Sequence, residues 1–329
     1  MNPEPLNPDS MSHRKIFIKK VVLVPGYQCN NRCVFCINTD KRTLKIRGAL
    51  EIKREIVAAS KRGCNYLEFA GGENTIRPDF CELVRCGRDS GFKRIAVATN
   101  GRMFSYPAFA REAIDSGLTD IIFSIHGHNA HVHDGLTQVK GSFAQLMRGF
   151  ENVRKRFKGI LATNTAITRL NFRSLPEIGE FIAEFGFYNS EFIYADPNAG
   201  GVKNNFKELM PRISQCAPYI RACLDIAGDM AKKGGPHDFT YNWAARYVPL
   251  CYFREYYPRQ ISEAREAEIY QNVQHVAPDY VNMDYMKGRR EVSRRKPPGC
   301  RGCALYAKCE GIWEEYLRIY GDEELIKLK

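Results

Sequence analysis

The chain reads as an α/β protein built on a parallel, barrel-type sheet with a cysteine-rich appendage. Three observations predict this. Segments of strand and helix character alternate six times between residues 19 and 197, the pattern of a parallel sheet with right-handed crossovers. The unusual motifs fall just after predicted strands, where parallel barrels gather their chemistry. The 329 residues also exceed one ordinary domain of about 100–200 residues but fit an α/β barrel of about 250 residues plus an appendage.

The elements follow in order. MNPEPLNPDSMSHRK lacks the apolar core of a secretion signal and reads as a tail, residues 1–15. KKVVLVPGY (Lys19–Tyr27) is β-branched and predicts a strand. Gly48–Gly63 carries apolar residues at helical spacing and stops on glycine. The strand Asn65–Ala70 runs into Gly71-Gly72, and Pro78–Cys86 reads as a helix. Strand Arg94–Gly101 precedes helix Tyr106–Ser116, strand Thr119–Gly127 precedes helix Gly141–Phe157, and strand Gly159–Thr168 precedes helix Leu175–Phe185. Ser190–Pro197 is the sixth strand, and a helix follows over Pro211–Lys232. Gly234-Gly235-Pro236 predicts a break, which divides the chain into 16–235 and 236–329. The second part is tyrosine-rich with little periodicity, carries a basic run from Lys287 to Lys296, and closes with a helix over Ile312–Tyr320.

Composition narrows the class. Hydrophobic residues are 44% and charged residues 26%, which suits a globular core and not disorder. No apolar run approaches the roughly 18 residues of a membrane span. The net charge of +12 admits an acidic partner, nucleic acid included, without choosing one. Twelve cysteines without an export signal point to a reducing, cytoplasmic setting, where clustered thiols more often bind metal than pair.

Cys29, Cys33 and Cys36 form C-x₃-C-x₂-C on one loop after the first strand. A [4Fe–4S] cluster held by three thiolates keeps one iron open to a small molecule. A zinc loop borrowing a distant ligand, or plain buried thiols, are the alternatives. The spacing, with Phe35 before the last cysteine, resembles the signature of the radical S-adenosylmethionine (SAM) superfamily, and the resemblance extends over about residues 16–200. It implies a partial (β/α)6 TIM-like barrel, matching the six strands above. It also implies that Gly71, Gly72 and Glu73 after the second strand receive the amino group of SAM; Asn74 stands where the family often has proline. By the same resemblance Ser124 contacts the ribose or the methionine carboxylate, Asn100 faces the same mouth, and Ile167, Thr168 and the backbone of Phe35 meet the adenine.

His126, His128, His131 and His133 crowd one segment. Their spacing runs along a loop without a clear metal-ligand pattern, so loop structure at the edge of the site is preferred to a separate metal. His133-Asp134 followed by Gly141-Ser142-Phe143 resembles a pairing in related enzymes, but Thr137 stands where some of them have arginine.

Cys300, Cys303 and Cys309 form a second group, C-x₂-C-x₅-C, and Cys251 is its candidate fourth ligand, with Cys216 and Cys223 as lesser alternatives. Four such thiols suit zinc or a second [4Fe–4S] cluster. The run resembles the auxiliary-cluster extensions called SPASM and twitch. Trp313 stands at the position of a further cysteine of the long form, which implies one auxiliary cluster in a twitch-like region. Cys64, Cys81 and Cys86 default to core packing.

The resemblance implies an enzyme that reductively cleaves SAM to a 5′-deoxyadenosyl radical and takes hydrogen from a substrate. The expected outcome is net oxidation or crosslinking of a peptide or small molecule, with a flavodoxin or ferredoxin as electron donor. A radical SAM enzyme acting on RNA or a nucleotide, and a non-enzymatic iron–sulfur or zinc protein, are the competing readings.

Overall fold

The computed structural model describes residues 18–232 and 242–329. The predicted tail and the Gly234-Gly235-Pro236 break lie outside the described residues. Eleven strands and twelve α-helices are found among those described. The six predicted strands are present as β1 (Ile18–Leu23), β2 (Tyr66–Phe69), β3 (Arg94–Thr99), β4 (Asp120–Ser124), β5 (Ile160–Ile167) and β6 (Asn189–Tyr194). All pair in parallel with their sequence neighbours. The helices between them are α1 (Ala49–Lys61), α2 (Phe80–Asp89), α3 (Pro107–Asp115), α4 (Ala130–Thr137), α5 (Ser142–Arg154) and α6 (Leu175–Glu184). Two short helices, α7 (Gly200–Asn204) and α8 (Phe206–Leu209), precede the long α9 (Ile213–Lys232).

The second part of the chain departs from the expected plain appendage. β7 (Asn242–Arg246) adds to β6, and β8 (Tyr270–Val276) adds to the free side of β1, both in parallel. β9 (Val281–Asn282) closes that edge in antiparallel sense. The sheet order is β7-β6-β5-β4-β3-β2-β1-β8-β9, an open barrel with eight parallel strands. The two added strands, Asn242–Arg246 and Tyr270–Val276, escaped the sequence because they lack clean apolar alternation. α10 (Ser262–Ile269) connects β7 to β8, and α11 (Tyr285–Val292) follows β9. Residues Ile312–Trp313, predicted as the start of the last helix, instead form β11, antiparallel to β10 (Arg294–Arg295); α12 (Glu314–Tyr320) follows.

The core lies between the outer sheet face and the helices. Leu67, Phe69, Ile95, Val97, Ile121 and Phe123 point outward and are at most 1% exposed. They meet helix stripes such as Ile52, Ile56 and Ala59 of α1, spaced three and four apart. Burying one such aliphatic or aromatic side chain contributes about 2–3 kcal/mol. The alternate residues point inward and are smaller or polar. They enclose a cavity of about 460 Å³. Its floor carries the ion pairs Lys20–Glu68, at 2.6 Å, and Arg94–Asp120, and Ala70, Asn164 and Tyr247 line it nearer the strands' C-terminal ends. Among the described residues no helix is long and apolar enough to cross a membrane.

Candidate functional site at the barrel mouth

β1 ends at Leu23, and the chain then runs without regular structure through the three cysteines. Cys29, Cys33 and Cys36 are each half-buried and unpaired. A loop this long needs external partners for its backbone groups. The N–H groups of Arg32 and Val34 donate to the carbonyls of Thr137 and Leu136, at 2.9 and 3.0 Å. Those carbonyls belong to the last turn of α4, so the helix end and the cysteine loop satisfy each other. The Cys36 carbonyl accepts from Gly201 N at 2.9 Å and from Thr39 Oγ1 at 2.8 Å. At Gly201 a Cβ would lie 1.9 Å from the Val34 carbonyl oxygen, so only glycine lets α7 approach this closely.

The Gly-Gly-Glu motif grips the same loop. Gly72 N donates to Gly26 O at 3.0 Å and Glu73 N to Gln28 O at 2.8 Å. A Cβ on Gly72 would sit 2.2 Å from Gln28 O. Gly72 admits the backbone leading to Cys29. Gly71 has φ +104° and remains exposed, with its carbonyl accepting from Asn38 Nδ2 at 3.2 Å.

Glu73 lies at the end of the motif, directly after the two glycines. It is 3% exposed. Its Oε1 accepts from Thr75 Oγ1 at 2.5 Å and Thr99 Oγ1 at 2.8 Å, and its Oε2 accepts from Asn100 N at 2.6 Å. The carboxylate is thus turned inward, where it ties the end of β2 to the end of β3. Burial pushes its pKa above the usual carboxylate value, against the pull of these hydrogen bonds.

Asn100 completes the link. Its Nδ2 donates to Asn30 Oδ1 at 2.6 Å and approaches Cys29 Sγ at 3.8 Å. Arg102 reaches the Asn30 carbonyl and, at 2.9 Å, Asn31 Oδ1. Arg102, Thr75, Thr99 and Asn30 were not singled out in the sequence. The pairing of Asn30-Asn31 between two cysteines with Asn100-Gly101-Arg102 was the available signal, but only the fold shows that they meet.

Burial drives the Cys29 thiol up to about 11 and the Cys33 thiol up to about 12, Glu73 and the neighbouring thiols adding to the effect. A thiolate at these positions therefore needs a positive partner such as a metal centre. Among the described residues, no three Cys, His, Asp or Glu side chains converge as around a single ion; a cluster takes each thiolate at a separate iron. Three thiols on one loop suit a cluster with an open iron.

The remaining predicted contacts divide. Phe35 stacks edge-on to His126 with ring centroids 4.7 Å apart. Ser124 is half-buried at the end of β4, opposite Asn164 of β5. Ile167 and Thr168 are fully buried, so their side chains do not line the mouth. The Thr168 hydroxyl is engaged with Asn171 Oδ1 at 3.1 Å, and the Ile167 carbonyl accepts from Ala195 N.

The histidine segment is not a plain loop: it includes α4, capped by Asn129 Oδ1 on Val132 N at 3.0 Å. His126 and His133 stack at 5.7 Å and are buried. Asp134 accepts from Gly141 N, Ser142 Oγ and Phe143 N at 2.6–2.8 Å, which explains the paired motifs: it caps the start of α5. Burial lowers the His126 pKa to about 3, helped by His133, and burial lowers the His133 pKa to about 4. Both folded values lie below the ordinary 6.5, so the unfolded chain binds more protons in between. Stability is then full above pH 6.5 and falls as pH drops toward the folded values. At pH 5 the pair is expected to cost up to about 4 kcal/mol relative to pH 7.5. Thermal melts at the two pH values check this; an unchanged melting temperature contradicts buried neutral imidazoles.

The C-terminal cysteines come together too. Cys251 lies in the turn after β7, and Cys300, Cys303 and Cys309 lie in the turns before β11. Burial raises the Cys251 thiol to about 11, and the nearby Cys309 and Cys300 thiols add to it. Leu250 N and Gly311 N donate to Cys309 Sγ at 3.5 and 3.3 Å. Cys216 and Cys223 are instead fully buried on α9.

Comparison with known proteins agrees with this geometry. Residues 23–182 match the model of the Radical SAM superfamily. Over that stretch, just under half of its length, the chain is similar to enzymes of the radical SAM superfamily. It is 29% identical over 176 residues to the AdoMet-dependent heme synthase of Methanosarcina barkeri, a match covering 53% of this chain and 49% of the relative. It is 30% identical over 161 residues to the mycofactocin maturase MftC of Mycolicibacterium smegmatis, covering 49% of this chain and 40% of the relative. The matches thus span half or less of the length of these curated relatives. The fold resembles that of Streptococcus suis SuiB bound to precursor peptide SuiA, with TM-score 0.63 and 15% identity over 90% of this chain and 72% of that one.

Proposed function

We propose that the chain is a peptide-modifying radical SAM enzyme with one auxiliary [4Fe–4S] cluster. The observation that carries it is the set of Cys29, Cys33 and Cys36 on one loop at the barrel mouth, clamped by segments following β2, β3, β4 and β6. Cys29, Cys33 and Cys36 would hold the first cluster; Cys251, Cys300, Cys303 and Cys309 would hold the second. When bound, the first cluster and SAM supply a 5′-deoxyadenosyl radical that takes hydrogen from the substrate, and the protein supplies position and exclusion of water.

The chain's own residues divide the work. Glu73 fixes the mouth by joining β2 to β3 through Thr75, Thr99 and Asn100. The exposed backbone at Gly71 offers an acceptor to the amino group of SAM. Ser124 offers a hydroxyl to its ribose or carboxylate. The cavity of about 460 Å³ beneath the mouth takes the reacting part of the substrate. A maturase among the relatives and the fold shared with a protein solved with its precursor peptide support a peptide.

The test is 5′-deoxyadenosine formation by anaerobically reconstituted protein with SAM and a strong reductant. In the same assay Cys303→Ala is expected to lose about one cluster's iron yet retain measurable SAM cleavage. Cys251→Ala should match it, whereas Cys216→Ala should keep full iron. Unchanged iron in Cys303→Ala removes the auxiliary cluster from this reading, and zinc in place of iron at the first group removes the reading itself.

A further inference from the structure

The second half of the chain holds a cavity that the proposed chemistry leaves unused. It measures about 430 Å³ and borders Cys309. Val248, Leu250, Tyr257 and Ile261 give it an apolar side, while Arg294, Lys296 and Lys308 bring positive charge. The basic run from Lys287 to Lys296 is therefore not one solvated face. Arg289 and Arg294 are buried, Arg290 is paired with Glu310, and Arg295 is paired with Glu314.

Asp196, Glu263 and Glu310 lie near enough to Arg294 for it to draw their pKa values down, yet none hydrogen-bonds to its Nε or Nη1. Glu310 is already engaged: Arg289 donates to both its oxygens at 2.8 and 2.9 Å, and Arg290 adds a third contact at 2.9 Å. Glu263 is 7% exposed, and its Oε1 accepts from Tyr247 N at 2.6 Å while its Oε2 has no partner. Burial raises its pKa, against the nearby Arg294 and Arg246.

Arg294 is 2% exposed. Its guanidinium lies over Trp313, with the ring centroid at 4.8 Å, and 5.7 Å from the Tyr247 ring centroid. One nitrogen, Nη2, donates to the Gly311 carbonyl. The other two, Nε and Nη1, have no hydrogen-bond partner. A buried cation with two orphan donors is costly until an acceptor arrives.

We propose that this cavity is a subsite for a carboxylate on an acidic peptide, with Arg294 as its buried donor and Lys296 and Lys308 as its rim. The chemistry favours carboxylate over phosphate: a singly charged, planar group matches one guanidinium, whereas a dianion would also be repelled by the neighbouring Glu310 and Glu268. Val248, Leu250 and Ile261 would receive the apolar side chains that flank the acidic residue. The subsite rests on the peptide reading given above and names the kind of peptide: one with an acidic residue between apolar ones, held beside Cys309, a proposed ligand of the auxiliary cluster.

Isothermal titration calorimetry on the reconstituted full chain tests it, with a blocked pentapeptide carrying glutamate between two leucines. The same peptide with glutamine is the comparison, and neither needs turnover. The glutamate peptide is expected to bind at least tenfold more tightly, the scale of one charge-assisted hydrogen bond. Lys308→Glu should cut its affinity about tenfold. Arg294→Gln should erase the preference, with circular dichroism reporting whether it folds; Lys308 is exposed and gives the answer if it does not. Lys61→Glu, on the exposed side of α1, should leave binding unchanged. Equal affinity for the two peptides overturns the proposal. So does an equal loss in Lys61→Glu, or displacement of the peptide by equimolar inorganic phosphate. A preference for glutamate without SAM cleavage would leave the subsite and sink the enzymatic reading; cleavage without the preference would do the reverse.

Discussion

Cys33→Ala is expected to abolish 5′-deoxyadenosine formation and to remove about one cluster's iron. The thiol sits in the middle of the loop, half-buried, and burial, with the neighbouring Cys29 and Cys36 thiols adding to it, pushes its pKa up to about 12. Only a strongly positive centre reverses that preference, so the residue has little reason to ionise except as a ligand. Removal should not unfold the barrel, because the loop's anchors are backbone groups of Arg32, Val34 and Cys36, which the substitution leaves in place. Far-UV circular dichroism should match the unsubstituted protein while iron and turnover fall. Retained cleavage, at even a tenth of the original rate, contradicts the assignment of this thiol.

Gly72→Ala is expected to do comparable damage without touching a ligand. Its Cβ would meet Gln28 O at 2.2 Å, Tyr27 C at 2.7 Å and Gln28 N at 2.9 Å. All are backbone atoms, so no side chain can swing aside. Relief requires the strand-end loop to move away from the β2 end, which breaks the Gly72–Gly26 and Glu73–Gln28 bonds. The strain should cost about 2–3 kcal/mol. Cys29 begins one residue beyond Gln28, so the displacement should lower cluster occupancy with all three cysteines intact. Gly201→Ala, which drives a Cβ against Val34 O, should give the same signature from the opposite side. Iron content and thermal melting, read together, separate this from simple loss of a ligand: the glycine variants should lower both.

Much of the architecture could be read directly. The six strand–helix units announce themselves because each strand's outer face is apolar and each helix keeps a stripe three and four residues apart, and both patterns are local. The first cysteine group was legible for a similar reason, all of it lying within eight residues. What could not be read is whatever depends on a partner far along the chain. β7 and β8 are strands because β6 and β1 offer them free edges, not because of their own composition. Ile167 and Thr168 sit at the expected strand end, but the pleat turns Ile167 to the core and Asn171 claims the Thr168 hydroxyl. Glu73 is where the motif places it, yet its carboxylate faces Thr99 and Asn100, twenty-six and twenty-seven residues on. The motif shows that a carboxylate is needed and not which way it points.

The position of β1 in the sheet has a consequence for how the molecule is made. The strand leading to Cys29 lies between β2 and β8, and β8 is completed only at Val276. During synthesis, one side of β1 therefore waits, its amides unpaired, until more than two hundred further residues have emerged. The other margin, β6, waits for β7 in the same way. A nascent chain in that interval presents two raw edges to other chains, the state most prone to sticking. Iron delivered in that interval would meet a loop whose parent strand is still held on one side only. The order of events in the cell should then run from the last strand to the first cofactor, with maturation following closure of the sheet.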